Sequence, residues 1–361
     1  MSSDWGKHLH IQIFGESHGP AIGVVIEGLP PGEPIDFDEL ASFLARRAPG
    51  KADYATSRQE ADAPDFLSGI LDGRTTGAPL AALIRNTSQR SEDYDELRRV
   101  PRPGHADFPA SLRYRNCHDL RGGGHFSGRL TAPLCIAGGI ARQILARREI
   151  HVGAHLFSIA DIEDTPFDPM EVDAATLRQL AEHVFPVLDL ASGKKMQDTI
   201  RQARQEGDSV GGVIEGAVIG LPGGLGSPMF EGVENRLAAL LFGIPAVRGV
   251  EFGAGFASAR MRGSEHNDPW RMKDGRVVTA SNHHGGVLGG ITTGMPLLVR
   301  VAIKPTPSIA KEQHSVDLTT GENALLTVRG RHDPCIAPRA VPVVEACLAV
   351  GSLDLLLENK E

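Results

Sequence analysis

His18, in Gly15-Glu16-Ser17-His18-Gly19, stands just past a strand-like stretch, where a side chain can reach a cleft. An imidazole titrates near neutral pH, so it can give or take a proton during a reaction. His105 lies in a second punctuated run, Arg102-Pro103-Gly104-His105, and a third run, Arg331-His332-Asp333, adds a carboxylate. Between these, Gly122-Gly123-Gly124 precedes Ser127 and a helical stretch with Pro133 in or near its first turn. Glycines let backbone amides approach a ligand, and a helix N-terminus contributes ~0.3–2 kcal/mol toward an anion. Arg46, Arg47, Arg102, Arg129, Arg331 and Arg339 all fall at element ends or in these loops. Singly, most such arginines are solvated surface residues. Together, their planar forks suit the carboxylates and phosphates of a small polyanionic ligand.

Other chemistries fit less well. Gly15-Glu-Ser-His-Gly19 matches the G-x-S-x-G elbow of serine hydrolases, but that elbow needs a helix next, and Ala21 to Ile26 reads as another strand. No phosphate-loop motif is present, and Gly253-Ala-Gly255 lacks the third glycine and helix of a Rossmann site. His8 and His10, and His283 and His284, have no third ligand at metal spacing, so no metal is expected. Asn86-Thr87-Ser88 fits a glycosylation sequon by chance. A net charge of −8 argues against general nucleic-acid binding, which needs a basic surface to displace counterions. Any anion must therefore meet a local basic cluster in an acidic chain. Cys117, Cys135, Cys335 and Cys347 form no C-x-x-C pair and read as reduced core thiols. With no apolar leader and no long apolar window, the expectation is a cytoplasmic protein without a membrane segment.

The elements that must position these residues show a repeat. His8 to Ile13 alternates, with Leu9, Ile11 and Ile13 on one face, and Phe37, Leu40 and Leu44 then fall at helical spacing behind an Asp36/Glu39 capping box. Gly69-Ile-Leu-Asp-Gly-Arg-Thr-Thr-Gly-Ala-Pro-Leu80 matches Gly286-Val-Leu-Gly-Gly-Ile-Thr-Thr-Gly-Met-Pro-Leu297 at eight of twelve positions. Both read as strand, Thr-Thr-Gly turn, strand. Upstream, Gly28-Leu-Pro-Pro-Gly32 parallels Gly220-Leu-Pro-Gly-Gly224. Downstream, a Gly/Arg-rich loop leads into a helix to about Arg148 in one case and to about Leu357 in the other. One domain is expected, with halves at 8–148 and 210–357, and an inserted segment at 150–209 carrying helices over Val172–Phe185 and Lys194–Glu206. The implied class is α+β, a layered sandwich of two similar halves rather than a doubly wound sheet. The polar stretches 48–64, 87–120, 257–284 and 305–323 are long enough to be functional loops.

Over almost its whole length the chain resembles the chorismate synthase family. The matching segments are Gly15-Glu-Ser-His-Gly19, Arg102-Pro-Gly-His-Ala-Asp107, Arg121-Gly-Gly-Gly124 with Ser127 and Arg129, Lys304-Pro-Thr306 and Gly330-Arg-His-Asp-Pro-Cys335. The resemblance implies a β-α-β sandwich, a homotetramer and reduced FMN as cofactor. It implies a 1,4-elimination of phosphate from 5-enolpyruvylshikimate 3-phosphate that gives chorismate with no net redox change. It further implies His18 near the substrate phosphate, His105 near the flavin and Asp333 near flavin N5 as the catalytic groups. Arg47, Arg102, Arg129 and Arg339 would clamp substrate or NADP. Flavin contacts would fall at His125, Phe126, Ser127, Pro245, Ala246, Gly289, Lys304, Pro305, Thr306, Pro307, Ser308 and Arg331. The sequence departs from the family at His125-Phe126, Leu130, Pro245 and Asp53. The last of these bears on NADPH, which is needed only if the protein reduces its own flavin rather than depending on a separate reductase. A flavin oxidoreductase and a non-catalytic ligand-binding relative are the alternatives.

Overall fold

A hydrophobic side chain at every second position folds the N-terminal region into a sheet with one buried face. In β2 (Ala21–Glu27), Ile22, Val24 and Ile26 are buried, and they face Ile84, Ala82 and Leu80 of β4 (Leu80–Arg85). The structure, a computed structural model, describes residues 3–48, 62–87, 95–328 and 333–359. β1 (His10–Gly15) and β3 (Asp65–Ser68) complete this sheet with the short strand Asp4–Trp5, in the order Asp4–Trp5, β1, β2, β4, β3, all antiparallel. A second sheet holds β5 (His151–Ile159), β6 (Gly212–Ile219), β7 (Val247–Phe252) and β8 (Leu297–Ile303), in the order β7, β8, β6, β5, Ile162–Glu163. Each sheet thus runs first, second, fourth, third through its main strands.

Helices fill the space between the sheets. α1 (Phe37–Arg47) follows β2; α2 (Asp107–Tyr114) lies in the loop region; α3 (Thr131–Ala146) packs on the first sheet. α4 (Ala174–Glu182) and α5 (Leu190–Gln205) cover the far end of β5, and α6 (Val233–Phe242) follows β6. α7 (Ala337–Glu358) packs on the second sheet and against α3. The two helices approach closely because position 138 is glycine, where a Cβ would overlap Ala346 and lie 3.0 Å from its carbonyl carbon. α7 is long and apolar enough to cross a membrane, yet 83% of its apolar window is buried inside the protein, where it is the central core helix. The fold is α+β, two sheets enclosing a helical layer.

Several local expectations change. The capping box is one-sided: Asp36 accepts from Asp38 N and Glu39 N, but its own N–H goes to Gln143 Oε1 at 2.9 Å rather than to Glu39. The hairpin turns lie at Asp72-Gly73 and Gly289-Gly290, all four residues at positive φ, and not at Thr-Thr-Gly. Two consecutive left-handed residues make the tight turn whose twist matches the strands, and Asp-Gly was its signature. The threonines tie each hairpin back to the upstream loop. Thr75 Oγ1 donates to Pro30 O (2.6 Å) and accepts from Glu33 N (3.0 Å), and Thr292 Oγ1 does the same with Pro222 O (2.7 Å) and Leu225 N (2.9 Å). The 150–209 segment does not begin outside the core, because β5 pairs along its length with β6. Cys135, Cys335 and Cys347 are buried, and burial pushes the Cys135 and Cys335 thiols up to about 12, but Cys117 is exposed.

The α4–α5 region is pinned to the second sheet by a buried polar knot. His155 of β5 bonds Asp164 Oδ2 at 2.9 Å and Glu215 Oε2 at 3.0 Å, and Glu215 also receives Phe167 N and Arg300 Nε. Burial alone would lower the His155 pKa; the two carboxylates outweigh it and raise it above 6.5. Asp164 and Glu215 are lowered despite their burial, by hydrogen bonds from His155 and backbone N–H groups. His155 therefore contributes stability that is fully present below its unfolded pKa and lost as pH rises through the raised one. The carboxylates contribute above theirs, so the knot is strongest at roughly pH 5–6.5. Denaturant unfolding of wild type and His155→Gln should show a stability difference largest near pH 6 that shrinks as pH rises. A pH-independent difference would contradict a charged His155.

Candidate active site

The triple glycine is where the two site histidines meet. Gly122, Gly123 and Gly124 all have positive φ, a backbone path that L side chains rarely adopt. A Cβ on Gly122 would overlap the His18 ring and lie 2.7 Å from Ser17 Oγ; one on Gly123 would lie 3.3 Å from His105 Nε2. The loop is held to the His18 turn by Ser17 N donating to Gly124 O at 3.1 Å. His18 is buried, and it follows β1 through the turn that Asn86 clamps, its amide donating to Glu16 O (3.1 Å) and Gly19 O (2.8 Å).

From His105 the contacts continue to the 304–308 segment. Arg102 Nη1 donates to Ser308 Oγ at 3.2 Å, and Lys304 Nζ donates to Gly104 O. Lys304 N donates to Ala246 O at 3.0 Å, which brings Pro245-Ala246 alongside. Partial burial, with Arg248 nearby, lowers the Lys304 pKa. Ser209 Oγ bonds Thr306 O at 2.7 Å, and its neighbour Val210 N donates to Pro334 O at 2.9 Å, next to Asp333. Asp333 accepts from Arg339 Nη1, whose Nε donates to Arg47 O at 3.1 Å. Arg47 and Arg129 share Asp62 between them, with Arg47 Nη1 at 2.8 Å from Oδ2 and Arg129 Nη1 on Oδ1. Arg129 Nε returns to Asn86 Oδ1 at 3.2 Å, and so to the His18 turn. His18, His105 and Asp333 are thus linked by one closed circuit of contacts.

Burying guanidinium groups is costly unless each is paired. Asp62, Asp107 and Asp333 supply that pairing. Burial raises the Asp62 pKa, but the charges and hydrogen bonds of Arg47 and Arg129 more than reverse it. Asp107 is likewise opposed by burial, then driven well below the usual carboxylate range by Arg102 and His105. Burial pushes Arg339 down, with Asp333 working against that shift. Four guanidiniums and the Lys304 ammonium against three carboxylates leave the circuit positively charged, a local basic cluster in an acidic chain. Ser17 Oγ and Thr306 Oγ1 are buried with no hydrogen-bond partner among the described residues. Orphan hydroxyls beside a left-handed glycine loop, with surplus positive charge, fit a polar, anionic cofactor and substrate.

Arg102 is engaged as the other three arginines are: its fork holds Asp107 (2.7 and 2.8 Å) beside His105, while Arg47 and Arg129 hold Asp62 and Arg339 holds Asp333. The His125 ring is spent on Gly15 O (2.7 Å) and Ser3 Oγ (2.6 Å). Phe126 packs near Tyr114 and His118, and Ser127 Oγ accepts from Arg129 N. Pro305 and Pro307 flank Thr306 beside Gly211 and Gly104, and Leu130 is buried at the start of α3. Gly289 sits in a hairpin at the Leu297 end of β8, while Lys304 follows the opposite end, so one chain does not bring them together. Arg331 and Asp53 lie outside the described residues. The serine-hydrolase elbow is ruled out by β2, which follows where the helix should be. Asp62, Asp107 and Asn86 were missed as site residues; the one available signal was Asp107 closing the Arg102-to-Asp107 segment.

The family model for chorismate synthase matches residues 9–357. The chorismate synthase of Thermococcus kodakarensis is 48% identical over 355 residues, covering 98% of each chain. That of Korarchaeum cryptofilum is 46% identical, covering 98% of this chain and 97% of its own, and that of Lancefieldella parvula is 47% identical, covering 99% and 96%. A crystal structure of a chorismate synthase, 27% identical, matches with a TM-score of 0.75 over 98% of this chain and 93% of that one. With the sandwich fold and the histidine-arginine circuit already described, the chain belongs to the chorismate synthase family of carbon–oxygen lyases.

Proposed function

We propose that the protein eliminates phosphate from 5-enolpyruvylshikimate 3-phosphate, using reduced FMN, through the circuit that joins His18, His105 and Asp333. The convergence of His18 and His105 on adjacent glycines is the observation that carries the reading. The substrate loses a ring proton and its phosphate; the C–O bond breaks and a C=C bond forms. Bound reduced flavin supplies electron density that eases departure of the phosphate with no net redox change. His18 holds a proton for the leaving phosphate, in the buried turn beside Gly122. Arg47, Arg129 and Arg339 neutralise its developing charge and the substrate carboxylates. His105 keeps the cofactor side of the site in its reactive protonation state, and Asp333, oriented by Arg339, takes up the ring proton. Cofactor contacts come from the backbone at His125 and Phe126, from Ser127, Pro245 and Ala246, and from the segment 304–308; Arg331 belongs to the same proposal.

Purified protein given chemically reduced FMN under anaerobic conditions should release phosphate from the substrate, and His105→Ala should release it far more slowly. No phosphate from wild type ends the reading; turnover unaffected by His105→Ala removes that residue from it. The same assay with NADPH and oxidised FMN, and no other reductant, separates self-reduction from dependence on a separate reductase. The reading extends to a cytoplasmic homotetramer, in which Gly289 could reach a flavin only across a subunit boundary. It also treats 8–148 and 210–357, with β5 added to the second, as copies of one unit. The shared strand order and the matched Thr75 and Thr292 bonds support that.

A further inference from the structure

We propose that Asp107 is the positioning residue that fixes the tautomer of His105, leaving Nε2 as the nitrogen that exchanges a proton at the site. This deepens the reading above and rests on His105 acting in it. Asp107, at the start of α2, is buried. Its Oδ2 accepts from Arg102 N (3.0 Å) and Nε (2.7 Å), and its Oδ1 accepts from Arg102 Nη2 (2.8 Å). His105 Nδ1 lies 2.6 Å from the same Oδ1. A carboxylate held by this many donors is ionised and can only accept.

The His105 tautomer follows from that contact. Were Nδ1 bare, its lone pair would face a carboxylate oxygen at 2.6 Å, two acceptors in contact. Arg102 Nη2 lies 3.0 Å from Nδ1 and has a second proton besides the one on Oδ1, but donating it there would still leave Nδ1 and Oδ1, two acceptors, 2.6 Å apart. The arrangement that satisfies every atom puts the proton on Nδ1, donated to Asp107. Nε2 is then the acceptor of the neutral ring and the second donor of the charged one. The ring edge that carries it lies against the triple glycine, where a Cβ on Gly123 would be 3.3 Å from both Nε2 and Cε1. The other charged group packed on this loop is Lys304, whose ammonium is held on Gly104 O. A buried carboxylate behind a working imidazole selects its tautomer and orientation in other enzymes too.

The test is made on the whole protein without cofactor, labelled with ¹⁵N-histidine, His105 being identified by the signals lost in His105→Gln. In wild type the neutral ring should carry its proton on Nδ1. Asp107→Asn should admit the Nε2–H form and, in the anaerobic assay, lower kcat by ~10–10²-fold with little change in KM. Asp107→Glu should recover part of both. A wild-type ring protonated on Nε2 overturns the proposal, as does Asp107→Asn that alters neither tautomer nor kcat. Should Asp107→Asn fail to fold, the wild-type spectrum alone decides. Absence of phosphate release from wild type would defeat the proposed reaction but not the tautomer measurement, so the two failures are distinct.

Discussion

Replacing His18 by Gln should lower kcat for phosphate release by ~10²–10⁴-fold, the range that loss of a general acid produces. Glutamine keeps a polar side chain of similar reach, but its amide neither gives up nor takes on a proton as an acid or base near neutral pH. Gly122→Ala should fall in the same range although it leaves the imidazole intact. Its Cβ would overlap the His18 ring and crowd Ser17 Oγ at 2.7 Å, at a residue with φ +61° that alanine adopts only with strain. Either the glycine loop or the His18 turn must then move, and misplacement of ~1 Å is enough to cost ~10²-fold. The check is steady-state phosphate release with reduced FMN under anaerobic conditions, alongside circular dichroism and thermal melting. Loss of activity with unchanged melting in both variants supports a shared site. Gly122→Ala with full activity would separate the histidine from the loop and dismantle the circuit.

The strands and the order of the helices were legible because they rest on local periodicity and turn residues. Ile22, Val24 and Ile26 alternate as a half-buried strand should, whereas the helix expected from Lys194 begins a turn earlier, at Leu190, behind its Asp189 cap. β5 was not legible as a core strand, since His151-Val-Gly-Ala-His-Leu-Phe-Ser-Ile159 places a histidine inside a run buried on both faces. That histidine is tolerated only because Asp164 and Glu215 come from elsewhere to pair it, and the sequence carries no local trace of the pairing. The site divides the same way. Histidines and arginines in glycine-marked loops could be named one by one. Of their counter-ions only Asp333 was named, because a loop aspartate such as Asp62 reads as a solvated residue until Arg47 and Arg129 are seen on either side of it.

Asp354→Ala should destabilise the protein by ~3–5 kcal/mol, the cost of stranding a buried ionic partner. Asp354 lies fully buried near the C-terminal end of α7. Its Oδ1 accepts from Lys7 N (3.1 Å), His8 N (2.7 Å) and Leu9 N (2.8 Å), and its Oδ2 receives Arg236 Nη2 at 2.7 Å. Alanine would leave three backbone donors and a buried guanidinium to be met by Glu358 and water, each charge-assisted bond being worth ~1.5–3 kcal/mol. The loss is also directional. Residues 7–9 lead straight into β1, and β1 ends at the turn that carries Ser17 and His18, so α7 anchors the strand that delivers the proposed proton donor. Denaturant titration should therefore show a lower midpoint in Asp354→Ala. Lys7→Ala, which removes exposed pairs with Glu358 and Glu231, should leave the midpoint nearly unmoved. Asp354→Asn should fall between the two, because its amide oxygen still accepts from the backbone while the charge opposite Arg236 is gone. Equal midpoints for Asp354→Ala and Lys7→Ala would mean that the N-terminal strand is held by its sheet partners alone.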